Sequence, residues 1–285
     1  MEKKQINVVD SSISFVASFV LSQIALVFFA VIGIVVYKLN GYESKAFYDF
    51  SSNNLGLLIS VIVMNLVFVL IFLFYKKKAE INYTKHLSAL KIVCYIGIAV
   101  ISYFLLYPVV LSFNKLFKIA PTAIEISGIG YLYSAFSRVI IPAICEELLF
   151  RGIIYKGLEN KSKQLAIWVS AIMFSIFHMS KEQMLYPLLM GLLFGVIMAK
   201  ENNIIYCIIV HITNNALALT GIGFYFNHWT FYLIAAIAFV LFLTIILLYT
   251  FKNSTAFKLS KLEVISLLVS LGVMIVFWVL INFVI

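Results

Sequence analysis

Charge is scarce in this 285-residue chain: only 12% of its residues are Asp, Glu, Lys or Arg, against about 25% in a soluble domain. Aspartate occurs at two positions (Asp10, Asp49), arginine at two (Arg138, Arg151), and proline four times. The three cysteines, Cys94, Cys145 and Cys207, lie inside apolar stretches and form no paired framework, which excludes a disulfide-stapled secreted domain. There is no low-complexity tract, no linker between soluble domains and no visible inverted repeat. What remains is 64% hydrophobic, with 26 Phe, 16 Tyr and a mean hydropathy of +1.07. Apolar blocks this long exceed what an aqueous core can hide, so the expected fold is an all-α, polytopic transmembrane helix bundle. The net charge of +9 comes from lysines that flank the apolar blocks, where they set topology. No basic and aromatic residues interleave in a soluble stretch, so a nucleic-acid partner is excluded.

A helix needs about 20 apolar residues to cross the hydrocarbon layer. Nine segments qualify or come close: 13–37, 55–75, 89–113, 137–158, 164–179, 184–200, 203–220, 230–251 and 262–285. They divide the chain into N-terminal spans with an interfacial segment (1–136), a four-span core (137–220) and two C-terminal spans (221–285). The first segment is too long for a signal peptide and has no small-residue cleavage site after it, so it reads as a retained span. With a cytoplasmic N-terminus, thirteen lysines fall on the inner side and five on the outer. The positive-inside rule therefore favours N-in, C-out, and the Lys-, Ile-, Asn- and Phe-rich composition suggests a bacterial-type cell membrane.

Ionisable groups inside a membrane cost about 2.5–3.5 kcal/mol each at a helix centre and are functional hypotheses by default. The fourth segment holds Glu146, Glu147 and Arg151. Glu147 and Arg151 are four apart and share a helix face; Glu146 points about 100° away and needs a different partner. This suggests one carboxylate held by Arg151 and one left for chemistry. His178 ends the fifth segment, and His211 sits midway along the seventh with Asn215 one turn on. A lone histidine in an apolar helix is more often a satisfied core residue, but two Glu, two His and an Asn on neighbouring short helices form a set. They offer a general base, a group to orient it and donors for an oxyanion, which fits attack of activated water on an amide. Glu and His are equally ligands that zinc accepts. His86 and His228 read as solvated loop residues. Small residues at Gly191-xxx-Gly195-xxx-Ala199 and Ala166-xxx-Ser170 are expected to let helices approach closely and gather the polar groups.

Glu146-Glu147-xxx-Arg151, Phe174-xxx-His178 and His211-xxx-Asn215 resemble the three motifs of the CPBP intramembrane proteases, also called Abi. That family includes CAAX prenyl endopeptidases and bacterial proteins tied to bacteriocin processing and immunity. The resemblance covers about residues 137–219. It implies that Glu146 activates water with His178 beside it, that His211 and Asn215 hold the oxyanion, and that Glu147 and Arg151 support them. It leaves open whether the water is activated by glutamate alone or bound to zinc, in which case Glu146, His178 and His211 are the ligands. It further implies a membrane-associated peptide or protein as substrate and the lipid bilayer as partner, and leaves the oligomeric state unspecified.

Other intramembrane chemistries lack their residues: there are no two embedded aspartates, no Gly-x-Ser-Gly and no His-Glu-x-x-His. Two rival readings are a non-proteolytic family member acting in immunity or regulation, and a transporter relaying protons through Glu146, Glu147 and His211. One depth mismatch stands out. Glu146 lies nine residues, about 13 Å, inside the outer end of its segment, whereas His178 is near the outer end of its own. The fifth helix must therefore continue to about Gln183, tilt, or have boundaries a turn away from those read.

Overall fold

A computed structural model describes residues 5–79, 87–119, 129–222, 229–252 and 256–283. The described residues are helical with no strand: α1 Val8–Leu39, α2 Ser44–Ser52, α3 Asn54–Ala79, α4 Ala89–Leu116, α5 Gly130–Ser134, α6 Ile141–Leu149, α7 Lys156–Glu159, α8 Lys163–Phe177, α9 Leu185–Glu201, α10 Ile204–Leu219, α11 Trp229–Lys252 and α12 Lys261–Phe283. The chain is an all-α membrane bundle. Four helices, Val8–Leu39, Asn54–Lys78, Ala89–Leu116 and Lys261–Phe283, are long and apolar enough to cross a bilayer. Every expected span is helical, and α2 is an additional short helix where the sequence reads only as a polar stretch. His86 and His228 lie outside the described residues.

The fourth expected span is longer and less regular than a single α-helix. α5, α6 and α7 run on as one rod over 130–159, joined by π-helical segments at Ala135–Ile140 and Phe150–Tyr155. Pro142 has no N–H to give to the Arg138 carbonyl four residues back, and the backbone there widens so that Ile141 N–H bonds to the Phe136 carbonyl. Single-turn π segments inside α-helices are frequent at functional sites, and these two bracket the Glu146–Glu147 pair.

α1 docks on the second π segment through small polar residues. Ser11 donates to the Ile154 carbonyl at 3.0 Å, and Ser18 and Ser22 satisfy their hydroxyls on α1 itself. In a medium without water, internal satisfaction is the only way to bury such groups cheaply. Beside this seam the rings of Phe15, Phe19, Phe68 and Phe150 surround Phe177, with centroids 5.4–6.2 Å from it.

That packing explains the depth of His178. α8 has only 15 residues, about 22 Å, less than the ~30 Å hydrocarbon layer. It ends at Phe177, inside the bundle, and does not continue to Gln183. Measured from the turn that joins the rod to α8, Glu146 and His178 each lie about 20 Å in. The mismatch came from assuming that α8 spans the membrane.

α8 and α9 meet through the expected α9 glycines, which face Ala171 and Ile167 of α8 where the sequence pattern points to Ala166 and Ser170. A Cβ on Gly191 would lie 3.0 Å from Ala171 Cα, and one on Gly195 would lie 3.1 Å from Ile167 Cα. Gly195→Leu should therefore lower stability by about 1–3 kcal/mol through overpacking. Gly272→Ala on α12, where nothing stands within 4 Å, should be neutral or slightly stabilising; thermal unfolding in detergent compares the two.

Candidate active site

The site forms where the rod, α8, α9 and α10 converge. Glu147 and Arg151 are both completely buried, with Arg151 Nη1 donating to Glu147 Oε1 at 3.2 Å. Arg151 Nη2 donates to the Gly191 carbonyl at 3.1 Å. The guanidinium lies between the rings of Phe174 and Phe194, 4.8 and 4.9 Å from their centroids, an arrangement that suits a weakly hydrated planar cation. A buried pair like this offsets its desolvation only through geometry and extra hydrogen bonds. Glu147 Oε2 and Arg151 Nε have none among the described residues, so the pair depends on the few partners it does have.

His211 extends the pair into a chain. Its Nδ1 lies 2.9 Å from Glu147 Oε1. An ionised carboxylate only accepts, so Nδ1 carries the proton. Nε2 lies 3.8 Å from Glu146 Oε2. Phe194 stacks on the imidazole at 5.0 Å and Phe174 meets it edge-on at 5.9 Å. Adjacent carboxylates on one helix thus reach opposite nitrogens of one histidine, as the 100° between them allows.

Glu146 differs from its neighbour in surroundings. It lines a cavity of about 390 Å³ together with His178, Met179 and Phe177, and its side chain keeps 14% of its exposure. His178 caps α8, and its Nδ1 donates to the Phe174 carbonyl at 2.8 Å. The loop that follows is held by α12: Asn282 accepts the Lys181 N–H and donates to the Met179 carbonyl, each at 3.0 Å. Met179 sits in the left-handed region at φ +50°, a conformation that persists only where surroundings enforce it.

Of the six residues singled out in the sequence, the structure joins Glu147, Arg151, His211 and Glu146 into one chain and puts His178 on the same cavity as Glu146. Asn215 stands apart from it. Its Nδ2 donates to the Arg138 carbonyl at 3.3 Å, the carbonyl that Pro142 cannot serve, and its Oδ1 accepts from Asn214 at 3.4 Å. Asn214 is itself buried and accepts from the Tyr186 hydroxyl. Asn282 and Asn214 were legible only as polar residues in apolar helices; no spacing rule tied them to the motifs.

Zinc is a poor fit to this arrangement. Both histidines direct Nδ1–H at fixed acceptors, which is how metal-ligating histidines are oriented. Even so, among the described residues no group of three or more His, Cys, Asp or Glu side chains is gathered closely enough to hold a metal ion, and no step below is routed through one.

Removing one partner of a buried ion pair costs about 3–5 kcal/mol. Glu147→Ala and Arg151→Ala should each lose stability on that scale, whereas Glu146→Gln, on the cavity wall, should stay within about 1 kcal/mol. Thermal or denaturant unfolding of the purified variants checks the contrast.

Residues 128–217 match the family model described as type II CAAX prenyl endopeptidase Rce1-like. No curated protein and no solved structure matches the chain. The matched segment holds the rod from its first residues onward, α8, α9 and nearly all of α10, and with them every residue of the Arg151–Glu147–His211–Glu146 chain. At residues 128–217 the protein carries an Rce1-like domain of the CPBP family.

Proposed function

We propose that the protein is an intramembrane endopeptidase that hydrolyses a peptide bond in a small, membrane-associated peptide or protein precursor. At the level of family, the Rce1-like domain makes it a CAAX-type protease of the membrane. The observation that supports the finer reading is the unequal pair of adjacent carboxylates. Glu147 is sealed against Arg151 and His211, while Glu146 faces a cavity shared with His178.

In this reading Glu146 takes a proton from a water in the cavity as the water oxygen attacks the substrate carbonyl carbon. The carbonyl π bond opens and its electron pair becomes the oxyanion. His211, whose Nδ1–H is fixed by Glu147, is oriented to present Nε2 to the reacting centre. When protonated at Nε2 it donates to the oxyanion. Collapse of the tetrahedral intermediate restores the carbonyl, breaks the C–N bond and passes the proton held by Glu146 to the leaving amine. His178, with Nδ1–H on the Phe174 carbonyl, has Nε2 available as an acceptor for the attacking water or the departing N–H. Asn215 acts through the rod by holding the Arg138 carbonyl; a direct role on the oxyanion requires its amide to leave that bond.

Expected outcomes follow for a panel of fluorescence-quenched apolar peptides in proteoliposomes. Glu146→Ala and His211→Ala should each reduce cleavage by at least about 100-fold, the scale of a lost general base or oxyanion donor, with the protein still folded in the membrane. Cleavage in either variant at the wild-type rate would end the assignment. Cleavage by none of the proteins would shift the reading to a binding or immunity role. Metal analysis with and without a chelator distinguishes the two water-activating chemistries: chelator-resistant, Glu146-dependent cleavage makes the carboxylate the base, and stoichiometric zinc with chelator-sensitive cleavage makes the reaction metal-assisted.

A further inference from the structure

The cavity in front of Glu146 has a second polar side chain that the proposed chemistry does not use. Gln23, the one glutamine of α1, lines that cavity and is exposed on the bundle surface. Its amide has no hydrogen-bond partner among the described residues. Ile281 of α12 also lines the cavity and is 42% exposed. Residues that are both exposed and cavity-lining stand at its mouth.

The course of α1 and α12 shows why the mouth is there. The two helices run side by side in the same direction, with Ser12 bonded to Ser266 at 3.3 Å and the rings of Phe19 and Phe277 5.3 Å apart. Gln23 and Ile281 lie one helical turn beyond that ring contact on each helix. Phe19–Phe277 therefore closes the seam and Gln23 with Ile281 marks where it opens. Between mouth and Glu146 the walls are the apolar Phe19, Met64, Phe177 and Met179 with Ser22, whose hydroxyl is already bonded to the Phe19 carbonyl, and at about 390 Å³ the cavity is within the usual size range of ligand sites. Apart from Glu146 and His178 at its inner end, no acidic or basic side chain lines it.

We propose that this mouth admits an extended apolar peptide segment sideways from the lipid, and that Gln23 binds the main chain of that segment as it enters. The inference rests on the endopeptidase reading of Glu146. A peptide segment unwound in a dry environment exposes N–H and C=O groups, each expensive to leave unpaired. A primary amide supplies a donor and an acceptor together, the complement of one peptide group. A lipid chain would gain nothing from that amide, and a charged ligand would find no counterion at the mouth. Gln23 is a substrate-binding residue in this proposal and takes no part in proton transfer.

The test uses full-length protein in proteoliposomes and a fluorescence-quenched apolar decapeptide. Gln23→Leu keeps the volume and removes no hydrogen bond within the protein, so folding should be unchanged. Losing a main-chain contact of ordinary strength should raise KM about tenfold with kcat within about twofold. A second variant, Ile281→Cys in a Cys94→Ser background, is modified with a bulky maleimide; cleavage should fall at least about tenfold, and prior addition of peptide should slow the modification. If wild type cleaves the peptide while Gln23→Leu keeps the wild-type KM and the modified Ile281→Cys keeps its rate, the entry route is overturned and the protease reading stands. If wild type and Glu146→Gln are equally inactive on all peptides tried, the endopeptidase reading fails and this proposal falls with it.

Discussion

A guanidinium and a carboxylate buried together without water are the constraint around which this bundle is organised. Arg151 and Glu147 are wholly inaccessible, and in low dielectric each would be untenable alone. The surroundings answer that demand piece by piece. Two phenylalanine faces flank the cation, a glycine carbonyl accepts one of its N–H groups, and an imidazole N–H reaches the carboxylate. These groups come from three helices, Phe174 from α8, Gly191 and Phe194 from α9 and His211 from α10, so satisfying one ion pair requires α8, α9, α10 and the rod to be in one place. Gly191 serves twice: its missing side chain lets α8 approach, and its carbonyl accepts from Arg151.

The same demand sets the chemistry apart from the structure. Because Glu147 is committed to Arg151 and His211, its neighbour on the helix cannot also turn inward. Glu146 is left on the wall of the cavity, across the imidazole from Glu147. One carboxylate is locked into the buried ion pair and the other keeps access to the cavity. α8 contributes by being short. A helix that spanned the bilayer would carry its last residue to the surface; this one stops among phenylalanines and leaves His178 in the bundle interior, with α12 holding the loop beyond it through Asn282.

Helices outside the matched 128–217 segment complete the site without belonging to its motifs. α1 provides Phe19 and Gln23, α3 Met64 and α12 Ile281 to the cavity, and Ser11 of α1 is bonded to the second π segment of the rod. The matched segment thus brings the buried ionisable groups, and the flanking helices form much of the cavity wall around Glu146.

The all-α membrane fold was legible from composition and hydropathy, because a bilayer leaves a hydrophobic chain few alternatives to helices. The Glu147–Arg151 pairing was legible too: i,i+4 spacing puts two side chains on one face whatever surrounds them. The angle between adjacent residues likewise foretold that Glu146 would need other company. What spacing could not say was which groups from distant helices would supply it. That His211 bridges the two carboxylates depends on how closely α10 packs on the rod, which no spacing within either helix records. That Asn215 serves the Arg138 carbonyl depends on a proline in another helix, four residues after that carbonyl. The interior end of α8, the clamp by Asn282 and the opening beside Gln23 arise from the relative positions of helices far apart in the chain. Local periodicity determines which face of a helix a residue occupies; only packing decides what that face meets.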